Sequence, residues 1–437
     1  MRVYCSLLRE TVNQSRINWR PIVAMLAAFV VYYCMYACRK PYAAATWEGS
    51  FFGTTIDLKT ALAVSQILGY TLAKLIGTRV CSSLPYNRIL AALLACIVCA
   101  LISLLGLPYF GEYQFIAMFL NGLSLGMVWG FVMRPLEGRQ LTEMLIAGLC
   151  VSFIVASGDV KAMGKWLIGT EFYSSRFGVD ESWMPVLVGA MYFPFLVLGS
   201  VVLFSLPKPD ETDQSLRNER KIMSRADRFR FLRHHLPLLI PLAITYFLLT
   251  AYRDFRDTFQ AEILISFGID DASAFKTTER YIAFGVVAIL SVFVVIKQSR
   301  LALLVCHAVM ALGLIFCGAA TWLLKINVLD GYWWLVFAGL GAYVCYIAFH
   351  CIVFERMLAY TRAPGNAAFA MMLFDFVGYV APVIFMLGAD FFKKLSHLDV
   401  LIALTWVLMV VGSGAMLVSA LMVPRLGVFP SQEELAG

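Results

Sequence analysis

Tyr33-Cys34-Met35-Tyr36-Ala37-Cys38-Arg39-Lys40-Pro41 puts two adjacent cations inside the first apolar run of a 437-residue chain. The run extends over residues 21–45, enough to cross a bilayer whose hydrocarbon core takes about 20 helical residues. An arginine near the middle of a bilayer costs from about 2.5 to over 10 kcal/mol, depending on the reference. The second half of the chain repeats the feature in Ala251-Tyr252-Arg253-Asp254, inside the apolar run 237–262. A chain that carries one such residue in each half is read as using them. Two guanidiniums facing one cavity can grip an oxyanion through paired hydrogen bonds.

The composition supports a membrane setting. Hydrophobic residues make up 61% of the chain and charged residues 14%, against about 45–50% and 25% in a soluble domain. The mean hydropathy is +0.78. The net charge of +7 is assigned to basic loops, so no nucleic-acid partner is expected. Eleven cysteines show neither metal nor disulfide spacing and read as small buried hydrophobes. No cofactor or metal is expected. Arg2, Arg9, Arg16 and Arg20 precede the first apolar run, and no small-residue cleavage site follows it, so it reads as a retained span.

Twelve spans are predicted near 21–45, 59–80, 88–107, 113–133, 142–169, 183–206, 237–262, 278–296, 301–323, 332–354, 365–389 and 400–422. With the N-terminus inside, the inside segments hold 21 Lys and Arg and the outside segments 6, Lys59 among the latter. The positive-inside rule then puts both termini in the cytoplasm. The one long polar insertion, 207–236, separates residues 1–206 from 237–437. An all-α polytopic protein of two six-helix bundles follows, with a midplane site between them.

The two arginines are placed at similar depth. Arg39 lies 18 residues past Pro21 and Arg253 lies 16 past Pro237, a mismatch of about 3 Å at 1.5 Å per residue. Tyr36 and Tyr252 accompany them. The competing reading is an internal staple to a nearby acid; Asp254 adjoins Arg253, but adjacent helical positions do not face each other. Lys40 and Asp257 are predicted to pair across the two halves as a gate, which avoids leaving either charge alone in a dry place. Tyr70 and Lys74 share a helix face, with Lys74 either lining the cavity or snorkelling. Gly122, Gly126 and Gly130 give a small-xxx-small packing stripe. Asp159, Lys161 and Lys165 crowd the fifth span; Lys161 is read as facing the anion, with solvation at the span's end as the alternative. Glu279 and Asp375 are candidate proton sites, because a carboxyl in a dry cavity is harder to ionise, or else partners of intramembrane cations. His350, alone on an apolar helix, reads first as a satisfied core histidine and second as a site residue.

At these residues the chain resembles a major facilitator superfamily transporter, and more narrowly the organophosphate:phosphate antiporters, which include glycerol-3-phosphate and hexose-phosphate transporters. Tyr32-Tyr33 followed by Arg39-Lys40 resembles the first-span pattern whose arginine binds phosphate. Ala251-Tyr252-Arg253 is similar to the seventh-span arginine that completes the clamp. Tyr70 through Gly77 is similar to the second-span Tyr, Lys and Gly arrangement. His350 through Glu355, Gly365-Asn366-Ala367-Ala368 and Gly378-Tyr379 resemble the tenth and eleventh spans. The chain departs from the pattern in its sparse basic stretch after the second span, in Asp159 and Lys161 where a histidine is common, and in Arg256, Arg280 and Asp375.

The residues and the resemblance together imply a multi-pass cell-membrane transporter, monomeric and, with no ATP motif or catalytic triad in the sequence, not an enzyme, that exchanges a small anion such as a phosphate ester for phosphate by alternating access. Arg39 and Arg253 would hold the anion, Lys74 and Lys161 would adjust its affinity, and Tyr36, Tyr70, Tyr252 and Tyr379 would donate hydrogen bonds. Lys40, Asp257, Glu279, Asp375 and Asp159 would gate or couple. A proton-coupled symporter of a carboxylate such as a sugar acid, and a transporter-like anion receptor, are the alternatives.

Overall fold

A computed structural model describes residues 19–136, 142–170, 180–206, 225–363, 367–392 and 395–427. Both chain ends, Arg139, most of the basic 207–236 stretch and Gly365-Asn366 lie outside the described residues. Among the described residues there is no strand, only an isolated bridge between Ser50 and Asp57.

The first half contains α1 (Trp19–Tyr36), α2 (Leu58–Ser83), α3 (Tyr86–Leu104), α4 (Gln114–Leu125), α5 (Val128–Met133), α6 (Thr142–Gly169) and α7 (Met184–Ser205). The second half contains α8 (Arg225–Thr258), α9 (Gln260–Ser266), α10 (Ala272–Leu290), α11 (Ser299–Lys325), α12 (Gly331–Ala348), α13 (Phe354–Thr361), α14 (Ala367–Phe392), α15 (His397–Val407) and α16 (Ser413–Met422). Nine helices among the described residues are long and apolar enough to cross a membrane, and Ile22–Tyr36 is a shorter apolar one. With α6 and α10, they follow the predicted spans in order. Each half packs mainly within itself, and the halves meet along α6 against α10 and along α2 against α14.

The helix ends depart from the predicted spans in two informative places. The first span does not run through to residue 45. α1 stops at Tyr36, residues 37–40 form turns, and Pro41–Ala44 make a short 3₁₀ turn. Pro41 supplies no N–H and disfavours helical geometry in the residue before it. Arg39 and Lys40 therefore sit on unwound backbone. In the second half α8 begins at Arg225, so Pro237 and Pro241 lie inside the helix instead of opening it. Equal depth counted from Pro21 and Pro237 is thus not a measure from two helix starts.

Gly122 and Gly126 of the small-residue stripe pack as expected. A Cβ on Gly122 would fall 2.0 Å from the Gln66 carbonyl oxygen, and one on Gly126 would fall 2.6 Å from that of Tyr70. Gly69 on the facing helix would strike the Phe119 carbonyl oxygen at 2.1 Å. α2 and α4 are therefore in backbone contact, which fixes Gln66 and Tyr70 in place. Gly122→Ala is expected to destabilise by about 1–3 kcal/mol through overpacking. Gly414→Ala, with open space around its Cβ, is the control; it should leave the unfolding temperature in detergent unchanged or higher.

Candidate functional site

Unwinding after Tyr36 leaves carbonyls that a helix would have satisfied, and in an apolar interior each must find a donor. Two buried amides supply them. Gln66 Nε2 donates to the Arg39 carbonyl at 3.0 Å, and Asn121 Nδ2 donates to the Cys38 carbonyl at 3.0 Å. Gln66 also donates to Asn121 Oδ1 at 2.8 Å. The backbone carrying Arg39 is thus pinned by α2 and α4. Neither amide is singled out by the sequence, because an Asn or Gln in an apolar run has no spacing that marks its partner.

The Arg39 side chain is 5% exposed, makes no ion pair with any described carboxylate, and its Nε has no hydrogen-bond partner. Its guanidinium lies 4.1 Å from the Tyr70 ring centroid and 5.7 Å from that of Tyr36. Tyr70 meets Tyr379 of α14 edge-on at 5.5 Å. Tyr36 stacks on Phe153 of α6 at 6.4 Å, Phe153 meets Tyr346 of α12 at 6.1 Å, and Tyr346 carries the Arg253 guanidinium at 4.2 Å. A continuous aromatic wall drawn from both halves therefore joins the two arginines. Tyr346 belongs to this wall but is not singled out by the sequence, since a tyrosine in the apolar run of α12 looks like core. Tyr246 extends the wall by stacking on Tyr346 at 5.7 Å.

The two arginines are not equivalent. Arg253 holds Asp254 Oδ1 through Nε at 3.0 Å and Nη2 at 2.6 Å. This corrects the expectation that neighbouring helical positions keep these groups apart. A long guanidinium stem swings back over its own helix, and burial rewards the pairing. Asp254 Oδ2 is buried without a donor. Arg253 is thus already neutralised, whereas Arg39 is not.

Lys74 bonds the Asp375 carboxylate, whose Oδ1 accepts from Tyr246 Oη at 2.7 Å. Lys74 lies between the Tyr70 and Tyr379 rings, 5.4 and 4.9 Å from their centroids. Of the two alternatives, lining the cavity or snorkelling, it does not snorkel: it bridges to α14 among these rings. Asp375 is the partner of a cation. His350 sits in a π-helical turn, Phe349–Val353, with Nδ1 2.9 Å from the Tyr346 carbonyl and its ring 4.5 Å from that of Tyr346. Such turns recur at functional sites.

Lys40 meets Asp257 Oδ2 at 2.5 Å, as the gate reading requires. Lys161 was expected to face the anion; it is fully buried against the same carboxylate instead, with Nζ 2.6 Å from Asp257 Oδ1. Ser157 Oγ donates to that oxygen at 2.5 Å. Lys161 also donates to Gln260 Oε1, and Gln260 Nε2 reaches Glu279 Oε1 at 3.4 Å. Glu279 is locked to Arg256 at 2.7 Å with both side chains fully buried, so it is an ion-pair partner. Tyr252 was expected in the cavity but lies inside the second half near Arg256 and Glu279, its hydroxyl unpartnered. Asp159 takes the Tyr33 hydroxyl at 2.5 Å and Arg280 Nη2 at 3.1 Å.

Further ion pairs gather toward one end. Lys59, expected in a loop, is 1% exposed and bonds Glu262 at 2.6 Å, and Lys165 meets Asp270 at 2.7 Å. Along α2 the order is Lys59 with Glu262, then Tyr70 beside Arg39, then Lys74 with Asp375. Lys59 and Tyr70 are separated by about 16 Å of helix. Six pairs cross from the first half to the second: Lys40 and Lys161 with Asp257, Lys59 with Glu262, Lys74 with Asp375, Lys165 with Asp270 and Asp159 with Arg280. Sequence reasoning found one of them as a pair. Around the two arginines and the Asp257 cluster, two positive charges are left over among the described residues. One is on Arg39, and one is shared by Lys40 and Lys161 around a single carboxylate.

Solved structures share this fold at low identity. A D-xylose-proton symporter matches at 12% identity over 94% of this chain and 97% of that one, with a TM-score of 0.58. A POT family transporter in complex with thioalcohol conjugated peptide matches at 12% over 93% and 96%, TM-score 0.60. The nucleoside transporter NupG matches at 15% over 93% and 98%, TM-score 0.56. The fold is the major facilitator fold. No curated protein matches the sequence. Residues 41–425 match the profile described as "Family of unknown function (DUF5690)", and the chain belongs to that family.

Proposed function

We propose that this protein is a secondary transporter of a small anion, exchanging a phosphate ester and phosphate by alternating access. The observation that carries the reading is Arg39: a buried guanidinium without a counter-ion among the described residues, held on pinned, unwound backbone against Tyr36 and Tyr70, whose rings lead on to Tyr346 and Tyr379 of the second half. An uncompensated buried charge is costly, and an anionic substrate would relieve that cost. Arg39 is the primary ligand. Arg253 joins when the anion competes with Asp254 for its fork. Tyr36, Tyr70, Tyr379 and Tyr346 supply hydroxyls and a water-excluding wall. The solved structures that share the fold include a D-xylose-proton symporter, a POT family transporter in complex with a conjugated peptide and a nucleoside transporter, which supports transport as the activity.

In this reading residues 1–206 and the helices from α8 onward are the two moving bundles, joined by a cytoplasmic linker that ends where α8 begins at Arg225, with both chain termini in the cytoplasm of a cell-membrane monomer. The charged layer around Lys40, Asp257, Lys161, Lys59 and Glu262 closes the extracellular end. Exchange is favoured over proton-coupled carboxylate symport because Glu279 and Asp375, the candidate proton sites, are each paired with a cation. Binding of radiolabelled phosphate to purified protein, competed by phosphate esters, sulfate, carboxylates and a neutral sugar, tests the reading. Competition by phosphate esters but not by the sugar is expected; competition by the neutral sugar alone would overturn it.

One contact offers a check on closure. Cys150 of α6 and Cys351 of the π-helical turn, from opposite halves, have sulfurs 3.9 Å apart. An added two-electron oxidant should take both thiol hydrogens and join them as a disulfide with slight movement. Transport should stop in the wild type and continue in Cys351→Ser; unaltered transport in an oxidised, cross-linked sample would refute rocking of the halves at this contact.

A further inference from the structure

A second cluster of side chains joins the halves beyond the charged layer, and no ion pair accounts for it. Asp57 precedes α2, Asp390 lies near the end of α14 and His397 opens α15; one ligand atom from each lies within 4.8 Å of the others. Asp57 occupies the N-cap of α2, where an aspartate ordinarily accepts from the first-turn amides, yet its side chain makes no capping bond. Asp390 is 5% exposed and pairs with no described cation; it accepts the Asp57 backbone N–H at 2.8 Å. Thr60, one turn along α2, is fully buried, and its Oγ1 faces the Asp390 carboxyl without a well-formed hydrogen bond. The His397 ring is held in place by stacking on Phe259 at 4.2 Å.

Two carboxylates brought together without a cation repel, and the burial of Asp390 magnifies the cost, while Asp57 is partly open to solvent. The neighbouring Lys59 does not offset them, because it is taken by Glu262. Among the described residues, two carboxyls and an imidazole face one another here with no unengaged cation beside them. That arrangement and the N/O donor set suit a dication. The imidazole favours the zinc-like transition metals over magnesium or calcium, which prefer all-oxygen cages.

We propose that Asp57, Asp390 and His397 form a binding site for a zinc-type divalent cation that clasps the two halves together at the end of the molecule bearing Lys59. Ligands from both halves meet only while this end is shut, so the ion stabilises this conformation by its unequal affinity for the two states. It would thereby slow any cycle that must open this end. Thr60 would support a coordinated water.

The test uses the full chain, purified in detergent with any affinity tag removed and stripped with a chelator. Zinc is titrated by calorimetry and by thermal unfolding, with magnesium in parallel. Zinc should bind at one site per chain and raise the unfolding temperature by mass action, and magnesium should do neither at equal concentration. His397→Ala and Asp390→Asn should weaken zinc by about tenfold or more, the range typical when a metal site's support is lost. His397→Gln serves if the alanine variant fails to fold. No zinc binding by the wild type, or binding of equal affinity in the folded variants, would overturn the proposal, whether or not the protein binds phosphate.

Discussion

Arg39→Lys should cut anion exchange by about 100-fold or more while leaving the protein folded. Lysine keeps the charge but offers one donor point in place of a planar fork. Charge-assisted hydrogen bonds contribute about 1.5–3 kcal/mol each, and a loss near 3 kcal/mol is about 100-fold in affinity. The Cys38 and Arg39 carbonyls are held by Asn121 and Gln66 through the backbone, so the substitution leaves that anchoring intact. Arg253→Lys should do less, about tenfold, because the Arg253 fork already grips Asp254 and the anion must compete for it. The measurement is the exchange rate at subsaturating phosphate for both variants, with unfolding temperatures alongside. Equal losses would mean that the two arginines contribute alike and that the asymmetry has no functional weight.

Asp257→Asn is the second large effect. Asp257 is the shared counter-ion of Lys40 and Lys161, both buried. Removing one partner of a buried pair costs about 3–5 kcal/mol because the remaining charge is stranded; here two lysines are stranded. The unfolding temperature should fall clearly. The charged end should also open more often, because opening hydrates both lysines. A cysteine introduced as Thr258→Cys, buried in the wild-type arrangement, should then label faster with a maleimide. Adding Lys161→Gln should recover part of the lost stability by removing one stranded charge. An Asp257→Asn protein as stable and as slowly labelled as its parent would show that the cluster does not hold this end shut.

The fold was legible because apolar runs of bilayer length need no partner information to be recognised. The Lys40–Asp257 pair was legible too, since two opposite charges in the first spans of the two halves had few other places to go. The failures have a common physical source: side-chain reach and local backbone. Pro41 was in view, yet its consequence, an unwound turn whose carbonyls require Gln66 and Asn121, depends on tertiary neighbours that no spacing encodes. Arg253 and Asp254 were judged by the angle between their Cα positions, while a guanidinium on a long stem answers to burial. Lys161 and Lys59 looked like a cavity cation and a loop cation; both are buried pairs because the opposite half supplies an acid, and the approach of α6 to Asp257 on α8 and of α2 to Glu262 on α9 is a property of the assembled fold. Tyr346 could have been found only by asking which aromatics fall on the face of α12 turned toward Arg253.

The most direct measurement is counterflow of radiolabelled phosphate into proteoliposomes loaded with unlabelled phosphate, wild type beside Arg39→Lys, with no proton gradient imposed. Uptake by the wild type that is stimulated by internal phosphate or a phosphate ester, and lost in Arg39→Lys, is the expected result. Wild-type vesicles that accumulate no phosphate under exchange, or an Arg39→Lys protein that exchanges at the wild-type rate, would contradict an anion site centred on Arg39.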